Sequence, residues 1–239
     1  MTSLLGRIRN RAGDALSPLV GVEYVSRLPL VRRAGLERLG SERCGWVVPV
    51  GALDADSVCY CAGCGEDITF DLALIERTGC EVVGLDPTPR AIAHVAKAAR
   101  HEPRYRFEPV GLWDAEDVLR FYEPANAAHV SHSLLGLHGS ARYIEVPVKG
   151  LAQLMAERGH DRIDLLKLDI EGSEYKVIDS MLKAGIEVGA LCVEYDEYLS
   201  PLDAGARDRI RDSMRRLAAA GYELVSAQGA GNYTFVARG

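Results

Sequence analysis

The chain has 239 residues, of which 48% are hydrophobic and 26% are charged, and 34 acidic residues against 28 basic ones give a formal charge of -6. This length suits one α/β domain with a short appendage, while the acidic balance argues against a nucleic-acid-binding protein, which is usually basic. No hydrophobic run approaches the roughly 20 residues of a spanning helix, so stable membrane insertion is not expected.

Residues 1–45 differ from the rest of the chain. They contain eight arginines against four acidic residues, with only short hydrophobic clusters. We predict short helices here, which could form a strap packed on the main domain, a lid over an active site, or a contact in a homodimer. Arginines stand where a signal peptide would have its apolar segment, and the six scattered cysteines do not suggest a disulfide framework, so a cytoplasmic protein is expected.

From residue 46 to residue 239, strand patterns alternate with helix patterns. Strands are predicted at 58–62, 81–86, 105–110, 142–149, 163–169, 190–195, 222–226 and 232–237, the last two as an antiparallel hairpin. Helices are predicted at 68–79, 88–99, 151–158, 173–183 and 207–220, whereas residues 111–142 are predicted to be irregular. This alternation indicates a doubly wound, Rossmann-like α/β sheet with helices on both faces.

A strand followed by a glycine-containing loop and a helix begins at Val58. Gly63 and Gly65 would let the chain turn sharply and approach a ligand without a Cβ in the way. Asp86 ends the next strand, 21 residues after Gly65, where an acidic side chain accepts hydrogen bonds from ribose hydroxyls. The arrangement therefore predicts a cofactor that contains a ribose.

The charge of the glycine loop distinguishes two cofactor classes. A dinucleotide-binding loop has a third glycine where this chain has Ile68, and the carboxylates of Glu66 and Asp67 would repel a pyrophosphate. S-adenosylmethionine has no phosphate and carries a cationic sulfonium and a cationic amino group. The loop therefore favours S-adenosylmethionine, with NAD as the alternative.

A second polar group ends the strand predicted at 163–169. Lys167 would need an acidic partner if this strand is buried. Asp169 and Glu171 fall at the same edge of the sheet as the glycine loop, which makes them functional candidates, although they could simply pair with Lys167 and hold the turn. Glu194 would stand near Asp169 if their two strands are neighbours.

Five segments resemble, in order, the FkbM-type S-adenosylmethionine-dependent methyltransferases: AGCGEDITFD, VVGLDPTPRAI, GLWDAEDVLRFY, IDLLKLDIEGSEYKVI and NYTFVA. The resemblance covers roughly residues 46–237, and its most specific part is the KxDIEGxE segment. It implies a seven-stranded methyltransferase sheet, mostly parallel, and usually the methylation of a hydroxyl on a sugar or secondary metabolite. It also implies that Asp86 binds the ribose and that Asp169 and Glu171 border the site of methyl transfer.

The predicted cofactor site consists of loop residues and strand ends: Ala62, Gly63, Gly65, Asp67, Asp86, Pro87, Thr88, Gly111, Leu112 and Asp169. Asp67 departs from the family pattern, because many members have a small residue there. This departure concerns the contacts to the methionine end of the cofactor and leaves the class of ligand unchanged.

Methyl transfer to an alcohol requires a base that takes the hydroxyl proton. The candidates are Asp169, Glu171 and His132, the last in a long irregular segment of the kind that often forms a lid. Clustered carboxylates could hold Mg²⁺ or bind substrate hydroxyls instead, and Cys61 and Cys64 make only half of a zinc site, so no metal site is predicted.

The predicted function is therefore S-adenosylmethionine-dependent O-methylation of a small hydroxylated substrate. Two alternatives stay open at this point. One is an NAD-dependent oxidoreductase, and the other is a non-catalytic interaction module that uses residues 1–45.

Overall fold

The computed structural model describes residues 21–122, 143–229 and 231–238. The strands, in chain order, are β1 (Leu36–Leu39), β2 (Trp46–Pro49), β3 (Val58–Ala62), β4 (Glu81–Leu85), β5 (Tyr105–Glu108), β6 (Gly111–Trp113), β7 (Asp117–Tyr122), β8 (Tyr143–Gly150), β9 (Ile163–Leu168), β10 (Val188–Glu194), β11 (Tyr222–Gln228) and β12 (Asn232–Ala237). The helices are α1 (Thr69–Thr78), α2 (Pro89–Ala98), α3 (Leu151–Arg158), α4 (Glu174–Ala184) and α5 (Ala206–Ala219), with short 3₁₀ turns at Val50–Ala52 and Asp196–Tyr198.

Seven of these strands form the central sheet, in the order β11-β12-β10-β9-β3-β4-β5. Strand β12 runs antiparallel to both of its neighbours, and the other pairs in the sheet are parallel. The predicted Rossmann-like, mostly parallel sheet with its closing hairpin is confirmed. The strand order reverses between β3 and β9, and such a reversal creates a crevice at the carboxyl ends of the strands.

The central strands are buried on both faces, as expected for parallel strands covered by helices. On one face Tyr60 and Leu166 belong to a large hydrophobic core, and on the other face Cys59 and Leu165 belong to a second one. All six cysteines are free thiols, and all except Cys44 are buried.

The prediction of helices in residues 1–45 is wrong for residues 21–45, which contain no helix. Strand β1 pairs antiparallel with β2, and Val22 forms an isolated β-bridge with Pro29. The physical reason is local, because the buried carboxylate of Glu23 accepts the backbone N–H groups of Val25 and Ser26 and so replaces the helical bonds. Residues 1–20 lie outside the described residues.

The prediction of an irregular segment at 111–142 is wrong for its first part. Strands β6 and β7 join β8 in a three-stranded sheet of order β6-β8-β7, so the strand predicted at 142–149 belongs here and not to the central sheet. In β7 the alternation of partly buried Leu119 and buried Phe121 with exposed neighbours is a strand signal. The candidate base His132 lies outside the described residues. No helix among those described is long and hydrophobic enough to cross a membrane.

Candidate active site

A cavity of about 670 Å³ opens at the carboxyl ends of the central strands, on the side where the strand order reverses. The predicted site residues that line it are Gly63, Gly65, Asp67, Asp86, Pro87, Thr88, Gly111, Leu112, Asp169 and Glu171. Ala62 does not line it, because its side chain is fully buried in the sheet and its carbonyl accepts the backbone N–H of Asp169 at 3.2 Å. The glycine loop and the DIEG segment therefore border one cavity.

The two loop glycines have different reasons to be glycine. Gly63 has a φ of +87°, and a Cβ there would lie 1.8 Å from the carbonyl oxygen of Asp169, so the loop packs directly on the end of β9. Gly65 has a φ of +51°, and a Cβ there would meet no atom within 4 Å. Gly63 thus allows close packing within the protein, whereas Gly65 leaves room at the cavity wall.

Asp86 is fixed by three hydrogen bonds. Its Oδ2 accepts the backbone N–H of Gly65 at 2.9 Å, and its Oδ1 accepts the backbone N–H of Thr88 at 2.9 Å and the Thr88 hydroxyl at 2.7 Å. The residue is only 7% exposed, yet it lines the cavity. A carboxylate has about four acceptor positions, so one remains for a ligand hydroxyl.

The two acidic residues of the loop are both engaged within the protein. Glu66 pairs with Arg90 at 2.5 Å, and Asp67 accepts hydrogen bonds from Thr69 and from the Ser41 hydroxyl. Burial acts to raise the pKa of Asp67, but these hydrogen bonds outweigh it and hold the pKa below its usual value. The expectation that both carboxylates face the ligand as free charges is therefore corrected, since Arg90 balances one and Asp67 holds the start of α1.

Lys167 connects the glycine loop to the candidate base. Its ammonium group donates to the Gly63 carbonyl at 2.6 Å and lies 3.2 Å from Oδ2 of Asp169. Burial would lower the pKa of Lys167, but the carboxylates of Asp169 and Asp71 outweigh it and raise the pKa above its usual value. The predicted acidic partner of Lys167 is thus Asp169, which at the same time lines the cavity.

The turn after β9 is held by Glu174, the last residue of the KxDIEGxE segment, to which the sequence analysis assigned no role. The buried carboxylate of Glu174 accepts the backbone N–H groups of Ile170 and Gly172 at 3.0 Å. Burial raises its pKa to about 7, although these backbone hydrogen bonds act to lower it. In this turn Glu171 has a φ of +53°, a left-handed conformation that is rare outside glycine and is often found at functional sites.

Carboxyl groups gather at the edge formed by β9 and β10. The two strands are neighbours, as the expected proximity of Glu194 and Asp169 requires, and both residues line the cavity. Burial, followed by the charges of Asp169 and Glu171, raises the pKa of Glu194 to about 9. Among the described residues, no group of three or more His, Cys, Asp or Glu side chains is arranged to hold a metal ion.

The cavity is also lined by residues to which the sequence analysis assigned no role: Arg43, Cys44, Trp46, Phe121, Ser173 and Asn232. Arg43 and Cys44 come from the turn between β1 and β2, and Trp46 is the first residue of β2. The hydrogen bond from Ser41 to Asp67 joins this turn to the glycine loop. Arg43 and Cys44 lie within residues 1–45, for which a lid was one of the hypotheses. That hypothesis stays a prediction.

Solved structures with a similar fold include a Methanococcus jannaschii fibrillarin pre-rRNA processing protein, which is 11% identical, has a TM-score of 0.46, and is matched over 81% of this chain and 70% of that one. SMU.1697c, a putative methyltransferase from Streptococcus mutans in complex with SAH, is 11% identical with a TM-score of 0.44, over 78% of this chain and 90% of that one. At these identities and scores, neither structure bears on substrate or mechanism.

Curated relatives include the probable methyltransferase-like protein 24 of Rattus norvegicus and of Homo sapiens, 28% and 27% identical over 139 residues. Each alignment covers 56% of this chain and 31% of the relative, so the chain matches about a third of their length. The methyltransferase FkbM domain family matches residues 50–224. Because this match spans most of the chain and includes the glycine loop and the DIEG segment, the chain belongs to the FkbM family of S-adenosylmethionine-dependent methyltransferases.

Proposed function

We propose that the protein transfers the methyl group of S-adenosylmethionine to a hydroxyl group of a small molecule, a sugar or a secondary metabolite. The family supports methyl transfer over the NAD-dependent alternative. The observation that carries the choice of acceptor atom is the position of Asp169, a carboxylate that lines the cavity 3.2 Å from Lys167. An alcohol needs such a base, since it is a weak nucleophile at neutral pH.

The residues around the glycine loop fit the cofactor. Asp86 has acceptor capacity left for a ribose hydroxyl, and the space beside Gly65 would be filled by any Cβ there. The hydrophobic side chains of Leu85, Pro87 and Leu112 line the same part of the cavity and suit an adenine ring. When bound, S-adenosylmethionine supplies an electrophilic methyl group on a sulfonium.

Asp169 is the group that we assign as general base. Lys167 holds Oδ2 of Asp169 at 3.2 Å and orients the carboxylate. The other oxygen, Oδ1, would accept the proton of the acceptor hydroxyl as the oxygen–methyl bond forms and the sulfur–methyl bond breaks, with S-adenosylhomocysteine as the leaving group. A base in this position contributes about 10²- to 10⁴-fold to the rate. Asp169 thus takes the proton and Lys167 positions it, while the loop that Lys167 also contacts aligns the reactants. His132 stays an alternative base.

The turn between β1 and β2 and the first residue of β2 contribute to the wall of the cavity. Trp46 is 1% exposed and lines the cavity together with Cys44. Burial, followed by the charges of Asp67 and Asp169, raises the pKa of the Cys44 thiol, so this group stays protonated and is not a competing nucleophile at neutral pH. The turn therefore lines the cavity without adding a reactive anion.

The test is to incubate the protein with methyl-labelled S-adenosylmethionine and a panel of neutral glycosides, phenols and primary amines, and to locate the label by mass spectrometry and NMR. We expect the label on oxygen in at least one glycoside or phenol. Label only on nitrogen would contradict the proposal. No transfer with any acceptor, together with normal binding of S-adenosylhomocysteine, would favour the non-catalytic alternative.

A further inference from the structure

Three adjacent strands bring a polar residue to the cavity, directly after β9, at the end of β10 and at the start of β12. Glu194 is directly opposite Asn232 in the antiparallel ladder of β10 and β12. In the parallel ladder of β9 and β10, Val193 is opposite Leu168. The next residues along the two chains are Glu194 and Asp169, which therefore lie side by side. Directly opposed side chains share a face of the sheet, and all three of these residues line the cavity. We call Asp169, Glu194 and Asn232 the acceptor row.

Two buried polar atoms of residues that line the cavity, one of them in the acceptor row, have no hydrogen-bond partner among the described residues. They are Oδ1 of Asn232 and Oγ of Ser173, and Ser173 is only 1% exposed. Both residues line the cavity. Because buried polar atoms in folded proteins are nearly always paired, these two point to a ligand that supplies hydrogen-bond donors. An amide oxygen only accepts, so a hydroxyl group of the ligand suits it.

The charges around Glu194 determine whether its carboxyl group is protonated or ionised when a ligand binds. From β9 and the following turn it faces Asp169, Glu171 and Glu174, with Asp196 beyond its own strand. Lys167, the cation on this side, is already engaged by Asp169 and the Gly63 carbonyl. The cavity residues contributed by β12 and β2, Asn232 and Trp46, are uncharged.

Burial and these carboxylates raise the pKa of Glu194 to about 9. Its carboxyl group therefore carries a proton at neutral pH. A protonated carboxyl donates one hydrogen bond and accepts another, whereas a carboxylate only accepts. Opposite Asn232, whose Oδ1 accepts, a donating Glu194 completes a pair that can hold one hydroxyl: Glu194 donates to its oxygen, and the hydroxyl donates to Asn232.

We propose that the acceptor row recognises two neighbouring hydroxyl groups of a polyhydroxylated acceptor such as a glycoside, one beside Asp169 for methylation and the other held between Glu194 and Asn232. This inference rests on the proposed function, since it specifies the acceptor of the same reaction. Its new content is that Glu194 and Asn232 determine specificity, and that Glu194 does so as an uncharged hydrogen-bonding group and not as an anion for a cationic amine.

The test uses Glu194→Gln, Glu194→Ala and Asn232→Ala, with Glu187→Gln as the matched control, because Glu187 is exposed and precedes β10 at the opposite edge of the sheet. The acceptors are a glycoside with two adjacent free hydroxyls and its deoxy analogue, which keeps the hydroxyl that is methylated and lacks the other one. For the diol we expect Glu194→Ala and Asn232→Ala to raise KM by about tenfold, the effect of one lost hydrogen bond. Glu194→Gln, which is also uncharged and can donate, should stay within about threefold of the unsubstituted protein.

For the deoxy analogue, the substituted proteins and the unsubstituted protein should differ little. S-adenosylhomocysteine affinity, measured by calorimetry, should be unchanged in all of them. Methylation of hydroxyls with equal KM for diol and deoxy acceptors would overturn this inference and leave the proposed function standing. The absence of transfer to any hydroxyl would instead overturn the proposed function.

A second readout needs no acceptor. Because the pKa of Glu194 is higher in the folded protein than in the unfolded chain, the unsubstituted protein should lose stability as the pH rises from about 5 to about 9. Glu194→Gln removes this titration, so its stability relative to the unsubstituted protein should increase across that window in chemical unfolding experiments. A difference that stays constant over the window would show that Glu194 is ionised and would overturn the inference.

Discussion

The backbone N–H of Gly65 donates a hydrogen bond of 2.9 Å to Oδ2 of Asp86, and this bond joins the loop after β3 to the end of β4. The same carboxylate accepts two hydrogen bonds from Thr88, at the start of α2. Asp86 therefore orders the cofactor loop and also presents an acceptor to the cavity. Substitution of Asp86 should therefore weaken ligand binding twice, by releasing the cofactor loop and by removing the hydrogen-bond acceptor.

For Asp86→Ala we expect the Kd for S-adenosylhomocysteine to rise by at least about tenfold, because the ribose contact and the loop anchor are lost together. Calorimetry gives the Kd, and chemical unfolding gives the accompanying loss of stability. Asp161→Ala, at an exposed aspartate, is the control. An unchanged Kd in Asp86→Ala would show that the ribose lies elsewhere.

The two loop glycines should respond differently to alanine. Gly63→Ala places a methyl group against the Asp169 carbonyl, where a Cβ would be only 1.8 Å away, and we expect a loss of stability of about 3 kcal/mol or more. Gly65→Ala meets no protein atom, so the left-handed φ should cost only about 1 kcal/mol.

In Gly65→Ala the new methyl group would enter the space at the cavity wall, so S-adenosylhomocysteine affinity should fall although the fold persists. Chemical unfolding and calorimetry of the two proteins make the comparison. Equal stability losses in both would contradict the different packing assigned to the two glycines.

Lys167→Met should destabilise the protein in a pH-dependent manner. The substitution leaves Asp169 and the fully buried Asp71 without their cation, and removing one partner of a buried ion pair costs about 3–5 kcal/mol. The pKa of Asp71 is already raised by burial and would rise further, so Asp71 can bind a proton at low pH.

The stability lost in Lys167→Met should therefore be larger at pH 8 than at pH 5, with Lys183→Met, at an exposed lysine, as the control. Chemical unfolding at both pH values makes the measurement. A loss that does not depend on pH would indicate that neither carboxylate relies on Lys167 for its charge.

Asp169→Asn should lower the rate of methyl transfer without weakening cofactor binding. The amide keeps the size of the side chain but is a far weaker base, so we expect kcat to fall by about 10²- to 10⁴-fold. S-adenosylhomocysteine affinity should change little, since Asp86 and the glycine loop are intact. Single-turnover methyl transfer measures the first quantity and calorimetry the second. An unchanged kcat would direct attention to His132 as the base.

The sequence predicted the features that depend on short-range patterns. Alternating buried strands and helices indicated the sheet, and Gly63, Gly65 and Asp86 stood at the spacing that a strand–loop–helix unit imposes. Adjacent parallel strands then bring Asp169 to the same cavity. These features are predictable because hydrophobic periodicity and turn chemistry are local properties of the chain.

The features that were missed depend on hydrogen bonds and strand pairings that hydrophobic periodicity does not report, some of them local and others distant in sequence. Residues 21–45 carry basic and hydrophobic clusters that suggest helices, but the Glu23 carboxylate and the pairing of β1 with β2 satisfy their backbone groups in other ways. Asn232 lines the cavity only because β12 inserts between β10 and β11. Glu66 is paired with Arg90, and Asp67 accepts a hydrogen bond from Ser41. Both partners are distant in sequence.

The central claim is that the cavity at the carboxyl ends of β3, β4 and β9 binds S-adenosylmethionine through Asp86 and the glycine loop. Isothermal titration calorimetry of the protein with S-adenosylmethionine, S-adenosylhomocysteine and NAD tests it most directly. We predict binding of both adenosyl compounds at one site per chain, weakened in Asp86→Ala, and no binding of NAD. Binding of NAD in preference to the adenosyl compounds, or adenosyl binding that Asp86→Ala does not alter, would contradict it.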